Sequence, residues 1–119
     1  RKPTESNTIG ISSGVGGVRY YPTANINDAR VGLYIDKGNY DWNKKFFDNL
    51  YQHKSEIETT LGSNLDWLRS EKYRASAIEL LINRNSLKDK ESWVETQEAL
   101  IDNTIKMVAV FGPLIQKYS

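Results

Sequence analysis

The sequence predicts an α+β domain: a mostly antiparallel sheet of two hairpins with two helices packed on one face, in the order ββαββα. Three observations lead there. Around residues 18–36 and 65–82 apolar and polar side chains alternate with the period of two of a half-buried strand. Each of these stretches is followed by a longer one whose apolar residues recur at steps of three, four or seven, as in an amphipathic helix. Each helix has one apolar stripe to bury, so both belong on one side of a single sheet.

Residues 1–7 are polar, include Pro3 and are expected to be a linker or frayed end, leaving 8–119 as one domain. Ile9 and Ile11 alternate with small residues until Ser12-Ser13-Gly14 interrupts. Val18, Tyr20 and Pro22 then alternate with Arg19, Tyr21 and Thr23, and Pro22, lacking an N–H, pushes the end of that strand towards an edge. Asn25-Ile26-Asn27-Asp28 is a turn cluster, after which Val31, Leu33 and Ile35 share one face and Arg30, Tyr34 and Asp36 the other. Lys37-Gly38-Asn39 ends the strand. Asp41 is the expected N-cap of a single helix over 41–61 with the stripe Phe46, Phe47, Leu50, Ile57 and Leu61, and Gly62 is its expected left-handed C-terminal residue.

The second hairpin joins 65–69 to 73–82 through Ser70-Glu71-Lys72, with Ile78, Leu80 and Ile82 on its apolar face. Asn83-Arg84-Asn85-Ser86 closes it. Asp89 is placed to cap a long helix carrying Trp93, Leu100, Met107, Phe111, Leu114 and Tyr118, whose last turns Gly112-Pro113 should kink or shorten.

Composition narrows the chemistry. With 119 residues, 39% hydrophobic and 26% charged, the chain is long and apolar enough for one core. The absence of cysteine removes disulfides, thiolate metal sites and cysteine nucleophiles. A formal charge of +1 gives no whole-molecule attraction to DNA or an anionic membrane, and the longest apolar run, 107–111, falls far short of a bilayer span. The start Arg-Lys-Pro-Thr, with Met107 the sole methionine, reads as a piece of a longer protein, expected to be cytoplasmic.

A catalytic constellation is not visible, so no enzyme, metal or cofactor is expected. His53 is the single histidine, on a helix between Gln52 and Lys54, and reads as a solvated or partly buried side chain. Gly14-Val15-Gly16-Gly17 resembles a phosphate loop only in its glycines, because the strand pattern Val18-Arg19-Tyr20-Tyr21 follows instead of a helix; a turn or bulge is the expected use. Glu56 and Glu58 diverge on a helix and read as a solvated face. Neither hairpin carries the acid, one residue, lysine triplet of a PD-(D/E)XK nuclease. One stretch rises above this background. Arg69, Lys72, Arg74 and Arg84, with Tyr73 interleaved, form a candidate nucleic-acid contact, for which an ordinary mixed-charge surface is the commoner meaning.

The runs Ala29-Arg30-Val31-Gly32-Leu33-Tyr34-Ile35-Asp36, Asn43-Lys44-Lys45-Phe46-Phe47-Asp48-Asn49-Leu50 and His53-Lys54-Ser55-Glu56-Ile57-Glu58, then Leu61-Gly62 and Leu65-Asp66-Trp67, resemble the central signature of an uncharacterised prokaryotic domain-of-unknown-function family. Trp93, Leu100 and Phe111-Gly112-Pro113-Leu114 extend the likeness to roughly residues 8–118, and Gly32 departs from it, standing where a larger outward residue is expected. Members of that family often form the C-terminal part of longer proteins, following a domain resembling PD-(D/E)XK restriction endonucleases. This implies that the chain is such a C-terminal domain with an accessory role in a DNA-directed or defence protein, and it brings no catalytic residues with it.

Two functions then compete. One is a non-catalytic accessory domain helping a bacterial nuclease-like or defence protein engage DNA. The other is a protein-interaction or dimerisation module, its partner the rest of the parent protein or a second copy, with Tyr21, Tyr34 and Leu81 on the sheet face the helices leave uncovered. An enzyme with a dispersed polar site ranks behind both.

Overall fold

The structure, a computed structural model, describes residues 7, 8, 10–24, 29–83 and 90–119. The turn cluster 25–28, Arg84, the Asp89 cap and the Trp93 side chain lie outside the described residues.

The chain runs β1 (Asn7–Thr8), β2 (Ile11–Ser12), β3 (Val18–Ala24), β4 (Ala29–Ile35), α1 (Tyr40–Tyr51), α2 (Lys54–Leu61), β5 (Asp66–Leu68), β6 (Ser76–Asn83) and α3 (Lys90–Tyr118). Both expected hairpins form. They meet along β4 and β6, giving one antiparallel sheet in the order β1-β3-β4-β6-β5, with β2 also paired to β3. The short β1 and β2 make the order richer than ββαββα. Pro22 falls between the stretches of β3 that pair with β1 and with β2, where a residue without an N–H disturbs the ladder least.

Register puts the core on one face. Val18 faces Ile35, Tyr20 faces Leu33, and Leu33 in turn faces Ile78, all buried. Phe46, Phe47 and Leu50 of α1, Ile57 and Leu61 of α2, and Leu100, Met107, Phe111 and Ile115 of α3 close over them as one cluster. Burial also explains why the Tyr20 hydroxyl is pushed up to about 12. The helices therefore share one side of the sheet, as the single stripes require.

Four expectations need correction. The helix over 41–61 is two helices, broken at Gln52 and His53, where no glycine or proline marks the sequence. Tertiary partners decide the break: the His53 Nε2 lies 2.8 Å from the Tyr118 hydroxyl of α3, and Glu58 accepts from Leu65 N–H (2.8 Å) and the Trp67 indole (3.1 Å). Glu58 is thus a partly buried anchor, held below the usual carboxylate range first by the Leu65 N–H and next by Lys54, and not the solvated residue expected. The N-cap of α1 is Asn39, whose side chain accepts from Trp42 N–H, while Asp41 sits inside the first turn. Finally, α3 is not shortened at Gly112-Pro113 but runs through Pro113 to Tyr118, because Phe111 and Ile115 on either side are buried and the carbonyl the proline leaves unbonded, at Ala109, is on an exposed position. Gly62, at φ 74, ends α2 as expected.

The glycine-rich stretch is the turn between β2 and β3. Gly17 has φ 84 and accepts from Asp36 N–H at 2.7 Å, and a Cβ there would lie 2.6 Å from the Lys37 Cα. Glycine is required by that close approach, not by an anion.

Candidate functional site

Asn43 and Lys44 fall on the core-facing side of α1, one helical turn before Phe46 and Phe47 and two before Leu50. Their polar ends need partners there, and the turn between β5 and β6 supplies them. The Lys44 ammonium, 3% exposed, donates to the carbonyls of Arg69, Ser70 and Ala75 and to the Ser76 hydroxyl at 2.5–3.0 Å. Burial first, then the neighbouring Arg69 charge, lowers its pKa. Asn43 donates to Arg74 O at 2.9 Å and accepts from Lys37 N–H at 2.9 Å, and the Tyr40 hydroxyl donates to Glu71 O at 2.9 Å. Residues 69–76 are strapped to α1 along their length, with Ser70 at φ 57.

This strapping decides where the expected nucleic-acid residues lie. Arg69 is paired through both Nε and Nη2 to the Asp48 carboxylate at 2.8 and 3.1 Å, and through Nη1 to Glu71 at 2.9 Å. Arg74 grips Asp36 through two bonds of 2.9 and 2.8 Å, which together hold that carboxyl at about 2. Lys72 is exposed and Tyr73 projects with 70% of its surface free. The turn brings Arg69, Lys72, Tyr73 and Arg74 together, but with Lys44 the four cations stand beside three anions, Asp36, Asp48 and Glu71. Arg84 lies outside the described residues. The even spacing from Arg74 does not place it, because β6 begins only at Ser76 and slips register between the pairs Arg30–Leu81 and Ala29–Asn83. Sequence reasoning missed Asp36, Asn43, Lys44 and Asp48; two polar residues on the stripe of an amphipathic helix were the available signal.

The other face of the sheet carries Arg19, Tyr21 and Thr23 from β3, Arg30, Gly32 and Tyr34 from β4, Ala77, Glu79 and Leu81 from β6, and Asp66 and Leu68 from β5. Tyr21 and Tyr34 meet edge to face with centroids 5.9 Å apart. Gly32, opposite both Tyr21 and Glu79, has no side chain to fill the space between them, leaving a dimple of about 110 Å³ bordered by the tyrosines and by the Arg30–Glu79 ion pair of 2.7 Å. The expected uncovered residues Tyr21, Tyr34 and Leu81 do share this face.

Among the described residues no group of His, Asp and Glu is placed to hold a metal ion, and no helix is long and apolar enough to cross a membrane. What stands is a two-layer α+β domain with a strapped turn at one end and a bare sheet face. The chain belongs to the domain of unknown function family DUF4268, whose model matches residues 1–115. No curated protein and no solved structure matches it.

Proposed function

We propose that this chain is a non-catalytic interaction domain of a longer protein, of the nuclease-like or defence kind that the family resemblance implies, and that it docks through the bare face of its sheet. The observation that carries this is the composition of that face. A solvated sheet face normally alternates polar residues outward, whereas here Tyr21, Gly32, Tyr34, Ala77 and Leu68 adjoin one another across four strands. Tyrosine suits such a place because its ring buries large area while its hydroxyl keeps a polar partner. Of the carboxylates on the two surfaces, Asp36, Asp48, Glu71 and Glu79 are each engaged by an arginine, which supports a binding role over acid–base chemistry.

Acylation of tyrosine by N-acetylimidazole, read by mass spectrometry, tests the reading. Tyr34 should react readily in the isolated chain and several-fold more slowly in the full-length parent. Equal reactivity in both would show the face uncovered in the parent and defeat the proposal.

A second reading, DNA engagement by the 69–74 turn, is favoured by one observation: Lys72 and Tyr73 project from a turn that is already held rigid, so ordering them costs little on binding. It expects weak, salt-sensitive binding of single-stranded DNA that is lost when Lys72 and Tyr73 are both replaced by Ser. Titration at low salt with no binding by the unchanged chain, or equal binding by the variant, removes it.

A further inference from the structure

The long helix α3 has a second apolar row that the core does not use. Val94, Ile101, Ile105 and Val108 are 51%, 61%, 62% and 41% exposed, and Gly112 follows four residues on. At about 100° per residue these five positions fall within roughly 60° of one another, about a quarter of a turn from the buried row Leu100, Thr104, Met107, Phe111 and Ile115. From Ile101 onward the spacing alternates four, three and four, the pattern of a helix–helix seam in which each side chain enters a hole on a facing helix. A flat surface offers no such holes, so the fitting occupant is another helix.

Charge identifies which one. The exposed acids Glu95, Glu98 and Asp102 lie in the N-terminal half of the row and Lys106 and Lys117 in the C-terminal half. Among the described residues Glu95, Glu98, Asp102 and Lys106 have no ion-pair partner. A parallel copy would turn the charged flank of each helix towards the other's core-side flank, which among the described residues offers no opposite charge. An antiparallel copy, related by a two-fold axis level with Asn103, sets Ile101 against Ile105 and brings Lys106 of each copy level with the gap between Glu98 and Asp102 of the other. We infer that α3 pairs with α3 of a second copy of this chain, antiparallel, through Val94, Ile101, Ile105 and Val108. This deepens the interaction-domain reading by naming a partner, on a face separate from the sheet.

Sedimentation of the 119-residue chain at roughly 100 μM should show twice the 13.6 kDa monomer mass. Ile105→Glu, at an exposed position, should leave the circular dichroism unchanged and raise the dissociation constant by at least about tenfold, since it buries a charge in the seam. Lys106→Glu should weaken association at low salt, and the triple exchange Glu98→Lys, Asp102→Lys, Lys106→Glu should restore it, because the complementarity is only reversed. Spin labels on Glu95→Cys, the only cysteine in the chain, should lie roughly 24 Å apart along the axis in an antiparallel pair and far closer in a parallel one. Tyr34→Glu should leave the dimer intact, which separates this result from that of the sheet face. A folded monomer at every concentration, a dimer indifferent to Ile105→Glu, failure of the triple exchange to restore association, or a short label distance would each overturn the inference.

Discussion

Replacing Phe47 by Ala is expected to destabilise the domain by about 3–5 kcal/mol, the range for removing a fully packed aromatic side chain. Phe47 is 3% exposed and stands edge-on to Trp67 at 6.0 Å, which in turn leans on Phe111 of α3 at 6.5 Å. It therefore joins α1, β5 and α3 at one point. The void cannot close by moving α1 inward, since Asn43 and Lys44 tie that helix to the 69–76 turn. Urea unfolding followed by tryptophan fluorescence measures the loss, which corresponds to roughly 10–20 °C in Tm. A change under about 1 kcal/mol would mean that the three elements do not meet at this side chain.

Lys44→Ala is expected to cost about as much, on the order of 3 kcal/mol, for a different reason. The ammonium serves three backbone carbonyls and one hydroxyl in a turn that has few other internal donors. Without it those acceptors must turn to water, and the turn loses its tie to α1. Lys44→Met keeps the apolar stem and removes only the donor, so it should be nearly as damaging as Lys44→Ala. If Met restores most of the stability, the stem's packing and not the hydrogen bonding holds the turn. Hydrogen exchange at 69–76 should accelerate in both variants while that of β3 and β4 changes little.

The alternation of Val31, Leu33 and Ile35 and of Ile78 and Leu80, the Phe46–Phe47–Leu50 stripe and the Gly62 terminus were all legible from residue order, and all are found in place. They are local: a period of two or of 3.6 is written in adjacent residues, and a glycine at the end of a helix answers to its own backbone. The candidate site was half legible. Arg69, Lys72, Tyr73 and Arg74 cluster because they are neighbours in sequence, but the carboxylates that engage two of them, Asp36 and Asp48, are 38 and 21 residues away. No spacing rule links Arg74 to Asp36.

By itself, then, the sequence determined the class of fold, the buried faces of β3, β4 and β6 and the apolar stripes of the helices, and the absence of cysteine chemistry. These follow from short-range periodicity and from which residue types are present. Only the tertiary structure decided that 40–61 is two helices, that Lys44 is a buried anchor and Glu58 a partly buried one, that the basic turn is matched by acids, and that α3 shows a second apolar row to solvent. Each of these depends on which distant groups arrive within about 3 Å of a polar atom, or fail to cover an apolar one. That is a property of the packed chain, because the cost of an unpaired buried charge and the gain from a covered methyl are settled only where elements far apart in sequence meet.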